Sequence, residues 1–386
     1  MKILLLNANR VGIGTYHRAL HFGRELARRG HDVTMMTVSE TSRFRTARRR
    51  DRDRFEIVEC PNFLDELLPW HASGVLDIAL RIRELWRGGY DIVYAFEYQP
   101  NISIPVLLAR RFKQFVLISD WCDWHAGASY HFGGYRLAHA IDRRFEEHIR
   151  HRADFVTTIN ATLHDRARAI GIAEDRLAIV GEGVDPTYIE PRDRDRARAE
   201  LGLPDGVALA GTIRDAPSMT QLLCEALALA PGVHLLVIGS APEVALEQAR
   251  RAGVADRVHA PGRVSDADLP YYLAACDMHA LPLEDNLTNR GRWPHKLGDM
   301  IASRRPVIVS RGGEFPALLE RTSAGVIVDH SAAAFARAMR EVAAEPSRFA
   351  ATARRGRELV EQQLNWDVIG GELARAVERA TNGARR

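Results

Sequence analysis

The sequence predicts an α/β protein of two Rossmann-like domains, each a doubly wound parallel sheet, that face each other across a central cleft. Three observations predict this. The chain has 386 residues, about the size of two ordinary domains. Short apolar runs alternate with amphipathic segments through its first third, and a second series of the same kind starts near Gly206. Such sheets bind ligands outside the carboxyl ends of their strands, so two of these domains are expected to share a ligand cleft.

The first series begins with a unit of strand, turn, helix and strand. The apolar run Ile3–Leu6 predicts a buried strand, a turn with Gly12 and Gly14 follows it, and the apolar spacing of Tyr16–Arg29 predicts a helix. The further strands predicted in this series are Asp32–Thr37, Phe55–Glu59, Asp91–Ala95 and Phe115–Ser119. Strands that alternate with helices of this length favour a parallel sheet.

The second series repeats this alternation. Its predicted helices include Ser218–Leu229 and Pro242–Ala252. Its predicted strands are Val207–Ala210, His234–Ile238, Val258–Ala260, Met278–Leu281, Val307–Val309 and Gly325–Val328. Residues 182–200, between the two series, are polar, dense in charge and interrupted by proline, which is typical of a domain junction. We place the boundary after residue 190, so that the second domain covers residues 191–365.

Composition excludes several classes of protein. A hydrophobic content of 46% and a net charge of +3 are typical of a globular protein, and we expect no nucleic-acid partner. The first apolar run is too short for a secretion signal, and no stretch approaches the roughly 20 residues of a membrane-spanning helix, so we expect a cytoplasmic protein. Four widely spaced cysteines indicate neither a disulfide framework nor a zinc site. Because no Asp-x-Asp pair with neighbouring ligands ends a strand, we expect no metal.

The basic residues are distributed unusually. Lys2, Lys113 and Lys296 are the only lysines, and all other residues of the Lys and Arg type are arginine. The charge run Arg43–Arg54 predicts a solvated loop. The alternative is that its arginines near Arg49 attract an anionic surface at the inner face of a membrane or an acidic acceptor.

The strongest chemical signal runs from Asn289 to Val309. From Lys296 onward it predicts a helix that leads into a strand, and Pro294 suits the first turn of that helix. The N-terminus of a helix offers free N–H groups and partial positive charge, which suit a diphosphate. Arg292 and Lys296 would add charge-assisted contacts, and Asp299 could accept hydrogen bonds from a ribose diol.

This segment resembles a motif of the retaining, two-domain glycosyltransferases, the family that includes bacterial lipid and polysaccharide mannosyl- and glucosyltransferases. In that family, two glutamates separated by seven residues precede an Ala and Pro-Val stretch. Asp299 and Pro306–Val307 match the second acid and that stretch, and Pro294–Leu297 matches the Pro-x-Lys-Leu of a subset. Gly291 stands in place of the first acid, which holds the donor sugar in the family. Glu284 and Asp285 are the candidates to substitute for it.

The resemblance covers nearly the whole chain and implies the GT-B fold, with an acceptor-side domain of residues 1–190 and a nucleotide-sugar domain of residues 191–365. Asn365 and Trp366 resemble the point at which the last helix, here residues 366–386, returns to the first domain. The family's Gly-rich loop, which approaches the donor phosphates, matches Gly12 and Gly14, and its turns near the nucleoside match Gly239 and Val264. Arg214 lies in a turn after which the family has a phosphate-binding lysine that is absent here, which leaves Arg214, Arg292 and Lys296 as the candidates to bind the donor phosphates.

Two polar residues follow the predicted strand that ends near Ser119. The family often places a His or an Asp here to contact the donor sugar or the acceptor hydroxyl, and Asp120 and His125 are both eligible as catalytic residues. The residues themselves leave alternatives open, because an Asp after a strand is commonly a helix N-cap and a His in an aromatic loop is often hydrogen-bonded core. His17 and Arg18 could reach the same region, although a surface position is the simpler interpretation of each.

The resemblance implies a hexosyltransferase that moves a sugar from a nucleotide-diphosphate donor to a hydroxyl acceptor with retention of configuration, without a metal or a cofactor. The acceptor would be lipid-linked, a glycan or a small molecule. The alternatives are a nucleotide-sugar epimerase or phosphorylase on the same fold, or an inactive sugar-nucleotide-binding partner protein. A dehydrogenase is disfavoured because the second strand ends in Met35–Thr37 without the acidic residue that would bind a ribose.

Overall fold

The computed structural model describes residues 1–64, 74–125, 136–213 and 216–384, without the side chains of residues 136–142. The chain forms two compact units. The first unit comprises Met1–Glu182, Gly291–Trp293 and Trp366–Arg386, and the second comprises Gly183–Arg290 and Pro294–Asn365. Each unit is built on a parallel sheet, as the alternation of strands and helices predicts.

The change of unit lies between Glu182 and Gly183, ahead of the position predicted after residue 190. Arg18 explains why the chain stays with the first unit this far. Its guanidinium donates to the carbonyl oxygens of Val180 and Gly181 at 2.8 and 2.6 Å and to the Glu182 carboxylate at 3.2 Å.

The first unit has a sheet of the order β3-β4-β2-β1-β5-β6-β7-β8 within the described ranges. Only the β3–β4 pair among these strands is antiparallel. The strands are β1 (Lys2–Arg10), β2 (Asp32–Val38), β3 (Ala47–Arg50), β4 (Glu56–Cys60), β5 (Ile92–Phe96), β6 (Val116–Trp121), β7 (Phe155–Thr158) and β8 (Leu177–Ile179). The helices are α1 (Tyr16–Arg28), α2 (Val75–Gly88), α3 (Pro100–Ala109), α4 (Arg136–Arg152), α5 (Ala161–Ala169) and, after the second unit, α15 (Trp366–Ala384).

The second unit has a sheet of the order β11-β10-β9-β12-β13-β14. Its strands are β9 (Ala208–Ile213), β10 (Val233–Ile238), β11 (Val258–Gly262), β12 (Met278–Leu281), β13 (Val307–Ser310) and β14 (Val326–Val328). Its helices are α6 (Arg194–Leu201), α7 (Pro217–Ala228), α8 (Pro242–Arg251), α9 (Leu269–Ala274), α10 (Leu287–Arg290), α11 (His295–Ala302), α12 (Glu314–Thr322), α13 (Ala332–Ala344) and α14 (Pro346–Gln362).

The unbroken apolar run of β1 follows from burial on both faces of the sheet. Leu4 and Leu6 pack into one hydrophobic cluster, and Ile3 and Leu5 pack into another. Alternate side chains of a strand point to opposite faces, so a strand covered by helices on both sides needs apolar residues at every position. The second of these clusters includes Trp366, the first residue of α15, whose ring stacks on His21 of α1 with the ring centroids 4.3 Å apart.

The loop predicted for Arg43–Arg54 is wrong for its central residues. Ala47–Arg50 forms β3, an edge strand paired with β4. Arg48 lies 2.8 Å from the Glu56 carboxylate, and Arg49 lies 2.8 Å from that of Glu59, so two arginines of the run are neutralised by glutamates on the neighbouring strand. These ion pairs with β4 stabilise a strand within the charge run. Attraction of the run to an anionic membrane stays a prediction. Among the described residues, no helix has the length and hydropathy needed to cross a bilayer.

Candidate functional site

The turn after β1 requires glycine at both predicted positions. The φ angles of Gly12 and Gly14 are 75° and 57°, in the left-handed region that side chains disfavour. A Cβ on Gly14 would also lie 2.6 Å from Nδ2 of Asn9. That amide donates to the hydroxyl of Thr15 at 2.8 Å, so the turn is tied closely to the end of the strand. Contact between this turn and donor phosphates stays a prediction.

Asp120 lies inside β6 and is fully buried, so its alternative interpretation as a helix N-cap is wrong. Its carboxylate accepts two hydrogen bonds from Arg18, at 2.7 and 3.1 Å, and one from the Thr157 hydroxyl at 2.6 Å. Burial would lower the pKa of Arg18, but the Asp120 carboxylate outweighs this effect and the pKa is raised. Arg18 is therefore a buried ion-pair partner and not the surface residue that the simpler interpretation expects.

The contacts of Asp120 favour a positioning role. Both of its oxygens already accept hydrogen bonds from groups that are themselves buried. Direct contact between Asp120 and a substrate stays a prediction, but this geometry makes His125 the stronger candidate of the two.

His125 follows β6 and its side chain is 19% exposed. Its Nε2 lies 3.8 Å from Oε2 of Glu97, and its main-chain N–H donates to Glu146 at 3.3 Å. The ring also meets that of Tyr98 edge-on, with the ring centroids 5.6 Å apart. A partly exposed imidazole beside one buried carboxylate, on a main chain anchored by a second, is suited to hold or move a proton.

Glu97 is a central residue of this site that sequence reasoning missed. It follows β5 with a φ of 71°, an uncommon conformation for a residue other than glycine, and it is 1% exposed. Its Oε1 accepts main-chain N–H bonds from Cys122 and Asp123, both at 3.0 Å, and its Oε2 lies 3.2 Å from the buried Arg150. Backbone strain of this kind is characteristic of functional sites. An acid two residues after the end of the predicted strand Asp91–Ala95 was the available signal.

Glu97, Cys122 and Asp123 are the one group of three potential metal ligands found among the described residues, with their ligand atoms within 4.8 Å of one another. Burial and then the neighbouring carboxylates, that of Glu97 first, raise the pKa of the Cys122 thiol. The protonated thiol donates to Oε1 of Glu97 at 2.8 Å. Glu97 and Cys122 therefore already hydrogen-bond to each other within the fold. That the protein needs no metal stays a prediction.

Three residues of the Asn289–Val309 motif group with the first unit. The carbonyl oxygen of Gly291 accepts a hydrogen bond from the N–H of Trp124 at 3.1 Å, and Arg292 forms an isolated bridge with Asp123. Arg292 therefore has contacts with the segment that leads to His125. The position of the missing acid is occupied by a buried glycine whose main chain is engaged.

The rest of the motif lies in the second unit, where α11 begins as predicted. Pro294 is its N-cap, Lys296 lies in its first turn and is half-buried, and Asp299 follows one turn later and is buried. A helix that connects parallel strands runs against them, so this N-terminus lies at the carboxyl edge of the sheet. A Cβ on Gly298 would lie 2.5 Å from Cγ2 of Val184, so the helix packs closely on the start of the unit.

The loop after β12, which holds the candidate substitutes for the missing acid, packs against the end of β13. The Ser310 hydroxyl accepts from the N–H of Leu283 and donates to its carbonyl oxygen, both at 2.6 Å. Asp285 accepts two hydrogen bonds of 2.7 Å from Arg290, which lowers its pKa. Glu284 is exposed and accepts from the side chain of Asn286.

Gly312 and Gly313, which precede α12, are a second feature that the sequence analysis missed. A Cβ on Gly313 would lie 2.5 Å from the carbonyl oxygen of Asn289, and one on Gly312 would lie 3.0 Å from that of Leu283. The two glycines therefore allow the loops after β12 and β13 to pack together beside the N-terminus of α12. A Gly-Gly pair that starts three residues after the end of the predicted strand Val307–Val309 was the available signal.

The remaining predicted donor contacts follow β10 and β11. Gly239 has a φ of 145° and donates to the carbonyl oxygen of Gly262 at 3.0 Å. Val264 packs beside the apolar cluster that contains Ile238. Both lie at the carboxyl edge of the sheet, and their contact with a nucleoside stays a prediction. Arg214 lies outside the described residues.

Solved structures share the fold along the whole chain. Sucrose-phosphate synthase from Thermosynechococcus elongatus matches with a TM-score of 0.79 at 19% identity, over 98% of each chain. HepE of Anabaena, in complex with UDP-glucose, matches with a TM-score of 0.74 at 18% identity, over 98% of this chain and 99% of that one.

Two family models match parts of the sequence that fall in the two units. The glycosyl transferase 4-like domain matches residues 12–183, and the group 1 glycosyl transferases match residues 218–345. The chain belongs to the GT-B glycosyltransferases. This glycosyltransferase is 29% identical over 236 residues to the GDP-mannose-dependent alpha-(1-6)-phosphatidylinositol monomannoside mannosyltransferase of Mycobacterium tuberculosis. The match covers 57% of this chain and 60% of that relative.

Proposed function

We propose that this glycosyltransferase moves a hexosyl group from a nucleotide-diphosphate sugar to a hydroxyl acceptor, with retention of configuration and without a metal. The observation that carries the proposal is the position of Lys296 in the first turn of α11, with Asp299 one turn later. The N–H groups and partial positive charge at the N-terminus of α11 favour binding of a diphosphate, and the ammonium group of Lys296 adds a full positive charge. Asp299 is then placed to accept hydrogen bonds from the ribose.

Retention needs no carboxylate nucleophile if the departing diphosphate itself takes the proton of the acceptor hydroxyl on the same face of the sugar. The residues then have to orient the two substrates and stabilise the charge that develops on the leaving oxygen. We assign charge stabilisation to Lys296 and Arg292. We assign contact with the reacting centre to His125, which Glu97 and Glu146 hold in place.

The proposed donor and acceptor follow from the substrates named for similar proteins. One is named for GDP-mannose and for a phosphatidylinositol monomannoside acceptor, and another holds UDP-glucose. We propose a nucleotide-diphosphate hexose as donor and a lipid-linked acceptor or a glycan as acceptor. The comparisons do not favour an epimerase, a phosphorylase or an inactive partner protein. Turnover of GDP-mannose or UDP-glucose only when an acceptor is added would support transfer, whereas binding without turnover would support the inactive partner.

The sharpest test of the donor site is Lys296→Met. This change keeps most of the aliphatic stem and removes the charge, so we expect the affinity for a nucleoside diphosphate to fall at least tenfold, equivalent to about 1.4 kcal/mol. The loss follows from one charge-assisted hydrogen bond, which contributes roughly 1.5–3 kcal/mol. Calorimetric titration with GDP and UDP measures it.

Two controls accompany this titration. The nucleosides guanosine and uridine lack phosphates and should bind Lys296→Met as well as they bind the wild-type protein. Lys113→Met removes a lysine that is exposed in the first unit and should leave diphosphate affinity unchanged. An unchanged diphosphate affinity in Lys296→Met, or an equal loss for nucleoside and diphosphate, would remove Lys296 from the donor site.

A further inference from the structure

A cavity of about 750 Å³ lies in the first unit, at the edge of the sheet where its strands begin. Its walls are the C-terminal ends of α3, α4 and α15 and the segments that lead into β7 and β8. Glu97 and His125 follow the carboxyl ends of β5 and β6, and β5, β6, β7 and β8 are parallel. The cavity is therefore at the opposite edge of the sheet from the candidate catalytic residues.

Basic side chains dominate the walls of this cavity. The ionisable residues that line it are Arg110, Arg111, Arg152, Arg176, Arg379, His148, His151, Asp154 and Asp175. Five arginines and two aspartates line the cavity, so ion pairs between them cannot neutralise all of the arginines.

Only one of these arginines is neutralised by a carboxylate of the cavity. Arg110 donates to both oxygens of Asp154, at 2.7 and 2.9 Å. Arg176 donates to main-chain carbonyl oxygens, including that of Asp154 at 3.2 Å, and Arg379 donates to that of Glu174 at 3.1 Å. Carbonyl oxygens fix the direction of a guanidinium but carry no full negative charge.

Arg111 and Arg152 are more available still. Both are exposed, and their side chains make no ion pair within the part of the chain that the structure describes. They can therefore turn toward a ligand without breaking a contact of the fold.

Helix ends offset this charge only in part. The C-terminus of a helix is equivalent to about −0.5 elementary charge, so α3, α4 and α15 together contribute roughly −1.5. The four arginines without a carboxylate partner face these helix ends and Asp175, so the cavity stays positive even with both histidines neutral. The pKa of His148 is lowered by burial and then by Arg152, Arg144 and His151, which is consistent with a positive field.

A second cavity in the same unit provides a contrast. It has a volume of about 620 Å³, and Lys2, Arg48, Arg50 and Arg54 line it together with Asp32, Asp53, Glu56 and Glu84. Its cations and carboxylates are balanced in number, so it has no excess charge to attract an anion. The excess of arginine is a property of the larger cavity and not of this edge of the sheet in general.

We propose that the larger cavity binds an anion that carries more than one phosphate group, at a site separate from the nucleotide-sugar donor site. Its volume is within the range of about 300–1,000 Å³ that small-molecule sites occupy. Guanidinium groups match phosphate oxygens with paired N–H donors, and arginines from four separate segments suit several phosphates better than one. The proposal does not rest on the transferase activity.

The test is a calorimetric titration with inorganic tripolyphosphate. It is carried out on Lys296→Met, so that the proposed donor site contributes little to binding. We expect saturable binding that weakens as salt is added. The cavity variant adds Arg111→Gln and Arg152→Gln together. Its affinity should be at least tenfold lower and its melting temperature unchanged, because both side chains are exposed.

Arg321→Gln and Arg337→Gln form the matched control, since they remove the same charge from exposed helical positions of the second unit. They should leave tripolyphosphate binding unchanged. No saturable binding, an unchanged affinity in the cavity variant, or an equal loss in the control would overturn the proposal. If the double variant folds poorly, Arg111→Gln and Arg152→Gln are titrated singly, and a loss in neither would also overturn it.

A second measurement distinguishes a soluble ligand from a lipid headgroup. Phosphatidylcholine vesicles with and without a phosphoinositide are sedimented with the protein and with the cavity variant. Phosphoinositide-dependent sedimentation that the cavity variant loses would identify a lipid headgroup as the source of the phosphates. Tripolyphosphate binding without such sedimentation would identify a soluble anion.

Discussion

Asp120→Asn is expected to lower the free energy of unfolding by about 3–5 kcal/mol, because it removes the nearer of the two carboxylates that neutralise the buried Arg18 and leaves only Glu182, at 3.2 Å. The two side chains are 0% and 3% exposed, and three hydrogen bonds converge on the carboxylate. The change keeps the volume of the side chain, so the loss reflects charge and hydrogen bonding. Urea denaturation followed by circular dichroism measures it.

The control is an ion pair of similar geometry on the surface. Glu320 accepts from Arg311 at 2.7 and 2.9 Å, but the two side chains are 51% and 59% exposed. Exposed pairs contribute about 0–1 kcal/mol, so Glu320→Gln should change stability little. If Asp120→Asn were as stable as Glu320→Gln, the buried pair would not hold the end of β6 in place. A lower turnover in a fully folded Asp120→Asn would then restore the alternative that Asp120 acts on the reacting centre.

His125→Ala is expected to reduce turnover by at least about 100-fold, a loss of the size that misplacement of the reacting groups can cause. Donor affinity should change much less, because a contact made chiefly in the transition state affects the rate and not ground-state binding. Turnover is measured with GDP-mannose and UDP-glucose, and affinity by titration with GDP and UDP.

His164→Ala is the matched control for this measurement. His164 also has its Nε2 near a glutamate, at 3.3 Å from Glu174, but it lies on α5 and outside the candidate site. It should leave turnover unchanged. Near-normal turnover in His125→Ala would move the reactive group elsewhere in the first unit, with His17 of α1 as the next residue to test.

Periodicity and spacing determined the fold class because each element is visible locally. The run from Ile3 to Leu6 is apolar at every position, which is what a strand buried on both faces requires, and the structure places it in β1. In the same way, Pro294 followed by an apolar spacing predicted α11 and put Lys296 in its first turn. The glycines of the turn after β1 were also visible, because positive φ angles select for glycine.

Sequence could not show which polar groups meet in the interior. Asp120 and Arg18 are far apart along the chain, and the sequence made one a candidate catalyst and the other a surface residue, whereas the fold joins them in one buried pair. Glu97 went unnoticed because its hydrogen bonds to Cys122 and Asp123 come from the segment after a neighbouring strand. The charge run around Arg49 became a strand because glutamates of β4 lie opposite it. In each case the environment of a charged side chain depends on residues that are distant in the sequence and that the fold brings near. The pattern of neighbouring residues in the sequence does not predict those contacts.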